Sequence, residues 1–156
     1  WKVGWSIAPP AITAGIRAAH QFLTFCTATP LQHAAIAALQ APASYFDALR
    51  AEYAARREAL LRVLRAAGFD PMAPEGSYFV LADHTRFGHA SDEAFCEHLI
   101  RHVGVAAIPC SPFYASSDGG RALVRFAFCK TLDTIAEAGR RMEARLRPLA
   151  GNRVSC

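Results

Sequence analysis

The stretch Ala122-Leu-Val-Arg-Phe-Ala-Phe-Cys-Lys130 sets one cation, Arg125, inside a run that otherwise reads as a buried strand. A guanidinium cannot shed its proton to escape the cost of burial, so it needs an anion, and its planar fork matches a carboxylate through two parallel hydrogen bonds. The anion is either a structural Asp or Glu or a bound carboxylic acid; a side chain snorkelling from a strand end is the plain alternative. No comparable chemistry gathers at the cysteines. Cys26, Cys96, Cys110, Cys129 and Cys156 form an odd set without a C-x-x-C pair and without His/Cys spacing suited to zinc. They are expected to be reduced, mostly buried small hydrophobes, and no metal is expected.

The elements that must hold such a site fit a chain of ordinary domain size. With 156 residues, 53% of them hydrophobic, the chain can bury a real core. It has no apolar run of about 18 residues to span a membrane, and its first residues lack the order of a secretion signal, so a soluble, cytoplasmic protein is expected. It opens on Trp1 without an initiator Met and passes straight into strand-like sequence, which leads us to expect a fragment of something larger. The net charge of +4 comes from residues such as Arg56, Arg57, Arg62 and Arg65, or Arg140, Arg141, Arg145 and Arg147, spread over helix faces without interleaved stacking aromatics. Solvated helix surfaces account for that pattern, and no nucleic-acid partner is expected.

Trp1 to Ala8 is apolar and partly β-branched, which predicts a strand, broken by Pro9-Pro10. A helix follows with Ile12, Ile16 and Phe22 or Leu23 in register, then a second with Thr29 as N-cap, Pro30 at its first position, and Leu31, Ile36 and Leu39 along it. After the Ala41-Pro42 break, a long helix is predicted from about Ser44 to Ala67, carrying Phe46, Leu49, Tyr53, Leu60 and Leu64 on one stripe and stopped by Gly68. A helix of that length often bridges two domains. Beyond Gly68 the pattern predicts strands at Ser77 to Ala82, Val105 to Ile108 and Leu123 to Phe128. Helices are predicted after Ser91 (Phe95, Leu99, Ile100, ending near Gly104) and after Thr131 (Leu132, Ile135, Met142, Leu146). This βαββα order implies a small sheet with helices on one side, an α+β module to which the first 40 or so residues do not belong.

Six segments together carry a resemblance: Trp1-Lys-Val-Gly-Trp5, His20-Gln-Phe-Leu-Thr-Phe-Cys26, Thr29-Pro-Leu-Gln32, Glu75-Gly-Ser-Tyr-Phe79, Gly104-Val-Ala-Ala-Ile-Pro109 and Val124-Arg-Phe-Ala-Phe128. In order and spacing they resemble the C-terminal portion of a pyridoxal-phosphate aminotransferase of the aspartate aminotransferase fold (fold type I, class I/II), nearest to the methionine and kynurenine aminotransferases. The resemblance runs from Trp1 to about Leu149. It implies an α/β fold made of two parts. Residues 1–43 would be the trailing part of the large cofactor-binding domain, residues 44–150 a bridging helix and the C-terminal small α+β domain, and 151–156 a tail.

The resemblance also implies roles. Lys2 matches the basic residue that binds the phosphate of pyridoxal 5'-phosphate, for which a compact ammonium is suited; a surface lysine at a strand start is its plain alternative. Arg125 matches the arginine that holds the substrate α-carboxylate bidentately. Phe25 lies in the segment that reaches across the homodimer to line the partner's substrate pocket, or else is helix-end core. Tyr78 matches a position bordering the substrate side chain, or else is a core aromatic. The catalytic lysine that forms the Schiff base would lie upstream of Lys2, outside this chain, whose only lysines are Lys2 and Lys130. Lys130, at a helix start, is expected to be a solvated side chain, and His20 and Gln21 structural hydrogen-bonding groups.

The implied activity is transfer of an amino group between an amino acid and a 2-oxo acid. Methionine, aromatic amino acids or kynurenine are the expected donors, because the apolar Phe25 and Tyr78 give the pocket little to pair with a second carboxylate. Cysteine-conjugate β-elimination on the same scaffold is the near alternative. A non-catalytic anion-binding or dimerising module is the distant one, if the chain acts alone. Without the Schiff-base lysine the chain as given is expected to catalyse no transamination.

Overall fold

The computed structural model describes residues 2–116 and 118–146. The tail expected at 151–156, together with Trp1, Arg147 and Cys156, lies outside the described residues. The chain divides into two compact units, Trp1–Ala48 and Leu49–Cys156.

In the first unit, residues 2–9 carry neither helix nor strand. The strand expected at Trp1 to Ala8 is therefore not present over residues 2–8, and the reason is physical. A strand is made by a ladder partner, and the strands of the described residues all lie in the second unit. Pro9 and Pro10 open helix α1 (Pro10–Leu23), whose early proline has φ already set for a helix. The Thr13 hydroxyl donates to the Ala8 carbonyl at 3.0 Å and ties the preceding segment to the first turn. Helix α2 (Thr29–Leu39) starts one residue earlier than expected: Ala28 is the N-cap, without a side-chain bond, and Thr29 is already helical. Neither helix buries a residue within its unit.

Helix α3 (Ala43–Ala66) begins in the first unit and continues into the second, ending where Gly68 takes φ 93° and the Phe69 N–H returns to the Leu64 carbonyl. Of its expected stripe only Leu60 and Leu64, at the C-terminal end, are buried, and Leu61 joins them. Four strands follow, β1 (Pro71–Met72), β2 (Phe79–Asp83), β3 (Ile108–Pro109) and β4 (Leu123–Ala127), in the antiparallel order β1-β2-β4-β3. The order is thus ββαββα rather than βαββα. The first strand went unread because two residues carry no period. The strand expected at Ser77 begins at Phe79, since Ser77 has φ 69°, and the one expected at Val105 to Ile108 shrinks to Ile108–Pro109. Both edge strands are two residues long and contain proline, which leaves little free edge for another chain to extend.

Helix α4 (Asp92–His98) passes into a π-type turn at Leu99–Val103, and helix α5 (Leu132–Arg145) closes the fold. Ser91 and Thr131 cap them as expected, accepting from the Ala94 and Thr134 N–H groups. Gly139 lets α5 approach α3, because a Cβ there would meet Val63 at 3.0 Å. Alternation along β2 and β4 sends Val80, Ala82, Val124 and Phe126 into a core shared with Leu61, Leu64, Phe69, Phe95, Leu99 and Met142. Leu132, expected on the buried stripe of the last helix, is 52% exposed.

Candidate functional site

The same alternation that buries Val124 and Phe126 turns Leu123, Arg125 and Ala127 toward the other face of the sheet, where they are half-buried. Arg125 is therefore not inside the core, as the apolar run suggested. It stands on the face opposite the core, paired in register with Leu81 on β2 and Ile108 on β3. Its guanidinium carbon lies 4.8 Å from the centre of the Phe79 ring and 5.2 Å from that of Phe113. Cation–π attraction to two rings holds the group without satisfying its N–H donors. Among the described residues no Asp or Glu forms an ion pair with Arg125, so the structural-acid alternative finds no partner here.

Tyr78 joins this group at one remove. Its ring meets Phe79 edge-on at 5.6 Å, its carbonyl accepts the Phe128 N–H at 2.8 Å, and it is 50% exposed, so it is not core. Phe79 and Phe113 were not singled out from sequence. Period-two alternation marks Phe79, since it shares a face with Leu81 and hence with Arg125, but nothing local marks Phe113.

Phe113 ends a 3-10 turn, Ser111–Phe113, whose Phe113 N–H donates to the Cys110 carbonyl at 3.0 Å. Farther along, the Tyr114 ring lies against Gly119 and Gly120. A Cβ on Gly120, whose φ is 74°, would come within 2.6 Å of that ring. At the near end, the Ser111 N–H donates to Asp92 Oδ2 at 2.7 Å. Asp92 is fully buried, and its other oxygen has no partner among the described residues. Burial pushes its carboxyl up, but the N–H and hydroxyl of Ser111 and the N–H groups of Glu93 and Cys110 outweigh this and hold it below the ordinary carboxylate value. Burial first, and the Asp92 charge second, push the Cys96 thiol up to about 12 and raise that of Cys110, which Arg125 partly offsets. These buried thiols stay protonated and unreactive. His84, also buried, stacks on Phe95 at 5.0 Å and bonds through Nε2 to the Arg121 carbonyl at 2.7 Å, fixing the start of β4.

Lys2 and Phe25 belong to the first unit. Lys2 is exposed and is ion-paired with no carboxylate among the described residues. Phe25 follows α1 with φ 63°, its N–H donating to the His20 carbonyl at 3.0 Å, and is 80% exposed rather than helix-end core. It lines a groove of about 500 Å³ together with Trp5, His20, Gln32, Ile36 and Leu39. His20 is a structural hydrogen-bonding group, its Nδ1 being 2.7 Å from the Thr24 hydroxyl. Among the described residues no group of three His, Cys, Asp or Glu side chains is placed to hold a metal ion, and no helix is long and apolar enough to cross a membrane.

A half-buried arginine thus stands on an open face of a small antiparallel sheet, walled by aromatics and with no ion-paired acid among the described residues. Residues 1–142 match the family model described as aminotransferase class I and II, and the chain belongs to that family, whose enzymes depend on pyridoxal 5'-phosphate. Over 92% of its length it superposes with a TM-score of 0.83 and 41% identity on the solved N-succinyldiaminopimelate aminotransferase of Mycobacterium tuberculosis. It is 37% identical over 142 residues to the methionine aminotransferase of Escherichia coli, covering 91% of this chain and 36% of that protein. It is 35% identical over 158 residues to the kynurenine–oxoglutarate transaminase of Dictyostelium discoideum, covering 88% and 36%. The chain thus spans less than two-fifths of these relatives, 38% in the case of the solved structure.

Proposed function

We propose that the whole protein to which this chain contributes is a pyridoxal-phosphate-dependent aminotransferase, moving an amino group between an amino acid and a 2-oxo acid, and that this chain supplies its substrate-carboxylate clamp. One observation carries the reading: Arg125 presents its guanidinium between Phe79 and Phe113, with no acid among the described residues to neutralise it. A bound α-carboxylate would accept two parallel N–H bonds from the fork, and the flanking rings would keep water from competing. Tyr78 would border the substrate side chain. In a homodimer, exposed Phe25 would line the partner's pocket.

The residues present fit the phosphate end of the cofactor. Exposed Lys2, ion-paired with no carboxylate among the described residues, can supply the point charge that a phosphate dianion needs. When bound, the cofactor supplies an electron sink for the charge left at the substrate Cα once its proton is removed. Arg125 then fixes the amino acid by its carboxylate and so orients the Cα–H bond, which is positioning rather than proton transfer. We assign the covalent lysine to neither Lys2 nor Lys130. Residues 1–43 would be the trailing part of the large cofactor-binding domain and 44–150 the bridging helix and small domain. The free thiols of Cys26, Cys96, Cys110 and Cys129 support a reducing compartment such as the cytoplasm.

Methionine, aromatic amino acids and kynurenine are the proposed donors, supported by the apolar Tyr78 and Phe25 and by the names of the two relatives above. The test is to purify the whole protein, record its bound-cofactor absorption, and follow oxo-acid formation. The donors would be methionine, phenylalanine, kynurenine and N-succinyldiaminopimelate, with 2-oxoglutarate as acceptor. Product from one of the first three supports the full reading, and product from the last alone would overturn the donor assignment. Pyruvate released from a cysteine conjugate without any acceptor would favour β-elimination. Absence of bound cofactor and of any oxo acid would overturn the enzyme.

A further inference from the structure

We propose that Asp92 is a positioning residue for the Arg125 clamp. Its buried carboxylate fastens the Cys110–Phe113 turn to α4, and that turn sets where the Phe113 ring lies against the guanidinium. The inference rests on the reading of Arg125 as a carboxylate clamp and adds a residue to it.

An acidic residue in the first turn of a helix is ordinarily exposed, favoured by the helix dipole and left in water. Asp92 is instead 0% exposed, although the cap of α4 is already provided by Ser91, which accepts the Ala94 N–H at 3.2 Å. Capping therefore does not explain the burial. Taking a carboxylate out of water is costly unless it gains strong partners. Its 2.7 Å partner lies 19 residues along the chain, the Ser111 N–H, a short charge-assisted bond. The Ser111 hydroxyl and Cys110 N–H of the same segment, with the neighbouring Glu93 N–H, favour the charge further. The carboxyl is held below its ordinary value, as a charged acceptor in this position should be.

That bond holds the first residue of the Ser111–Phe113 turn. Phe113 is 65% exposed, so no core fixes its ring, and the direction of the ring follows from the backbone of the turn. The other wall of the guanidinium behaves differently. Phe79 sits in the β2 ladder opposite Ala127, and its place is set by strand pairing. Of the two rings flanking Arg125, Phe113 is the one on a loop. The loop is pinned at its far end by Tyr114 against Gly119 and Gly120, and at its near end by Asp92. Releasing the near end would let Phe113 swing away and give the guanidinium extra rotamers. The cost would fall on bidentate carboxylate binding and spare the chemistry at the amino group.

The experiment uses the whole cofactor-loaded enzyme and its Asp92→Asn, Asp92→Ala, Phe113→Leu and Arg125→Lys variants. Three quantities are read: kcat and KM for methionine, the same for 3-(methylthio)propylamine, which lacks the carboxylate, and the calorimetric Kd of 4-(methylthio)butanoate, which lacks the amino group. Asp92→Ala should raise the methionine KM and the butanoate Kd together by about tenfold, with kcat changed by less than about threefold and the amine unaffected. Asp92→Asn, which keeps an acceptor oxygen but no charge, should lie between Asp92→Ala and the unaltered enzyme. Should Asp92→Ala not fold, Phe113→Leu probes the same link from the surface and should raise both constants by about three- to fivefold. Equal losses for methionine and the amine would make Asp92 merely structural and overturn the proposal. So would unchanged constants in Asp92→Ala, or unchanged constants in Phe113→Leu, when Arg125→Lys raises them. Unchanged constants in Arg125→Lys itself would instead overturn the clamp on which the proposal stands.

Discussion

In the second unit Leu61, Leu64, Phe95, Leu99 and Met142 are at most 2% exposed, whereas in the first unit no described residue is buried and Ile7, Phe22, Leu23 and Phe25 stand 80% exposed or more. Both units are rich in apolar residues, so composition does not separate them. The second has a sheet with a covered face, and each large side chain there meets others. Phe69, for instance, contacts Phe87, Phe95 and Phe126 at ring separations of 4.6 to 6.0 Å. The helices of the first have prolines at their starts and local hydrogen bonds, but no surface of their own to bury against. Helices held by local signals alone are marginal in water, because nucleation is costly and packing normally supplies most of their stability. Within the 156 residues given, a core orders the second unit, and local turns and helix starts order the first.

The largest test of that contrast is a pair of truncations in the 156-residue chain. Phe95→Ala removes a fully buried ring and should cost about 3–5 kcal/mol in urea unfolding. Leu23→Ala, at a residue 81% exposed, should change stability by less than about 0.5 kcal/mol. Similar losses at both positions would break the distinction.

A second expectation concerns acid. The folded Asp92 carboxyl lies below its ordinary value of 3.8, so the stability it contributes is fully present above that pH and is lost as the pH falls through the lower folded value. Asp92→Asn should therefore flatten the stability–pH curve below about 3.8 and leave its slope between about pH 5 and 8 unchanged. Unfolding midpoints across the acid range check this, and a slope change near neutrality would contradict it.

The smallest effect belongs to the first unit. Phe25 has φ 63°, a left-handed conformation that costs an L-residue about 1–2 kcal/mol. Phe25→Gly relieves it but adds unfolded-chain entropy, for a net gain of about 0.5–1 kcal/mol in stability. If Phe25 also lines a partner's pocket, the same variant should lower activity of the whole protein while its Tm rises. A fall in both would mean that the ring is structural.

What could be read from the sequence divides helices from strands, in both units. Helices α3, α4 and α5 were legible because long 3.6-residue periods and caps at Ser91 and Thr131 are local signals, and the stop at Gly68 needs only its own backbone. The resemblance named the family from six short segments that no periodicity would have connected. The strand expected before Pro9 failed because strands depend on partners remote in sequence, and two-residue strands such as β1 have no pattern to find. At the site, Arg125 was visible as a charge in an apolar run, yet its half-buried place on the uncovered face emerges only when Val124 and Phe126 are seen to take the core side. Phe113 and Asp92 were invisible, since their link is a hydrogen bond from a loop amide to a carboxylate that reads, in sequence, as an ordinary helix start.

Whether Arg125 grips a substrate carboxylate is read from the ratio of kcat/KM for methionine to that for 3-(methylthio)propylamine in the whole enzyme, with and without Arg125→Lys. Lysine keeps the charge but loses the fork, so methionine kcat/KM should fall at least about a hundredfold, on the order of 3 kcal/mol, with the amine and cofactor binding little changed and the ratio collapsing accordingly. Equal losses for methionine, amine and cofactor would show that Arg125 supports the fold and does not hold the substrate.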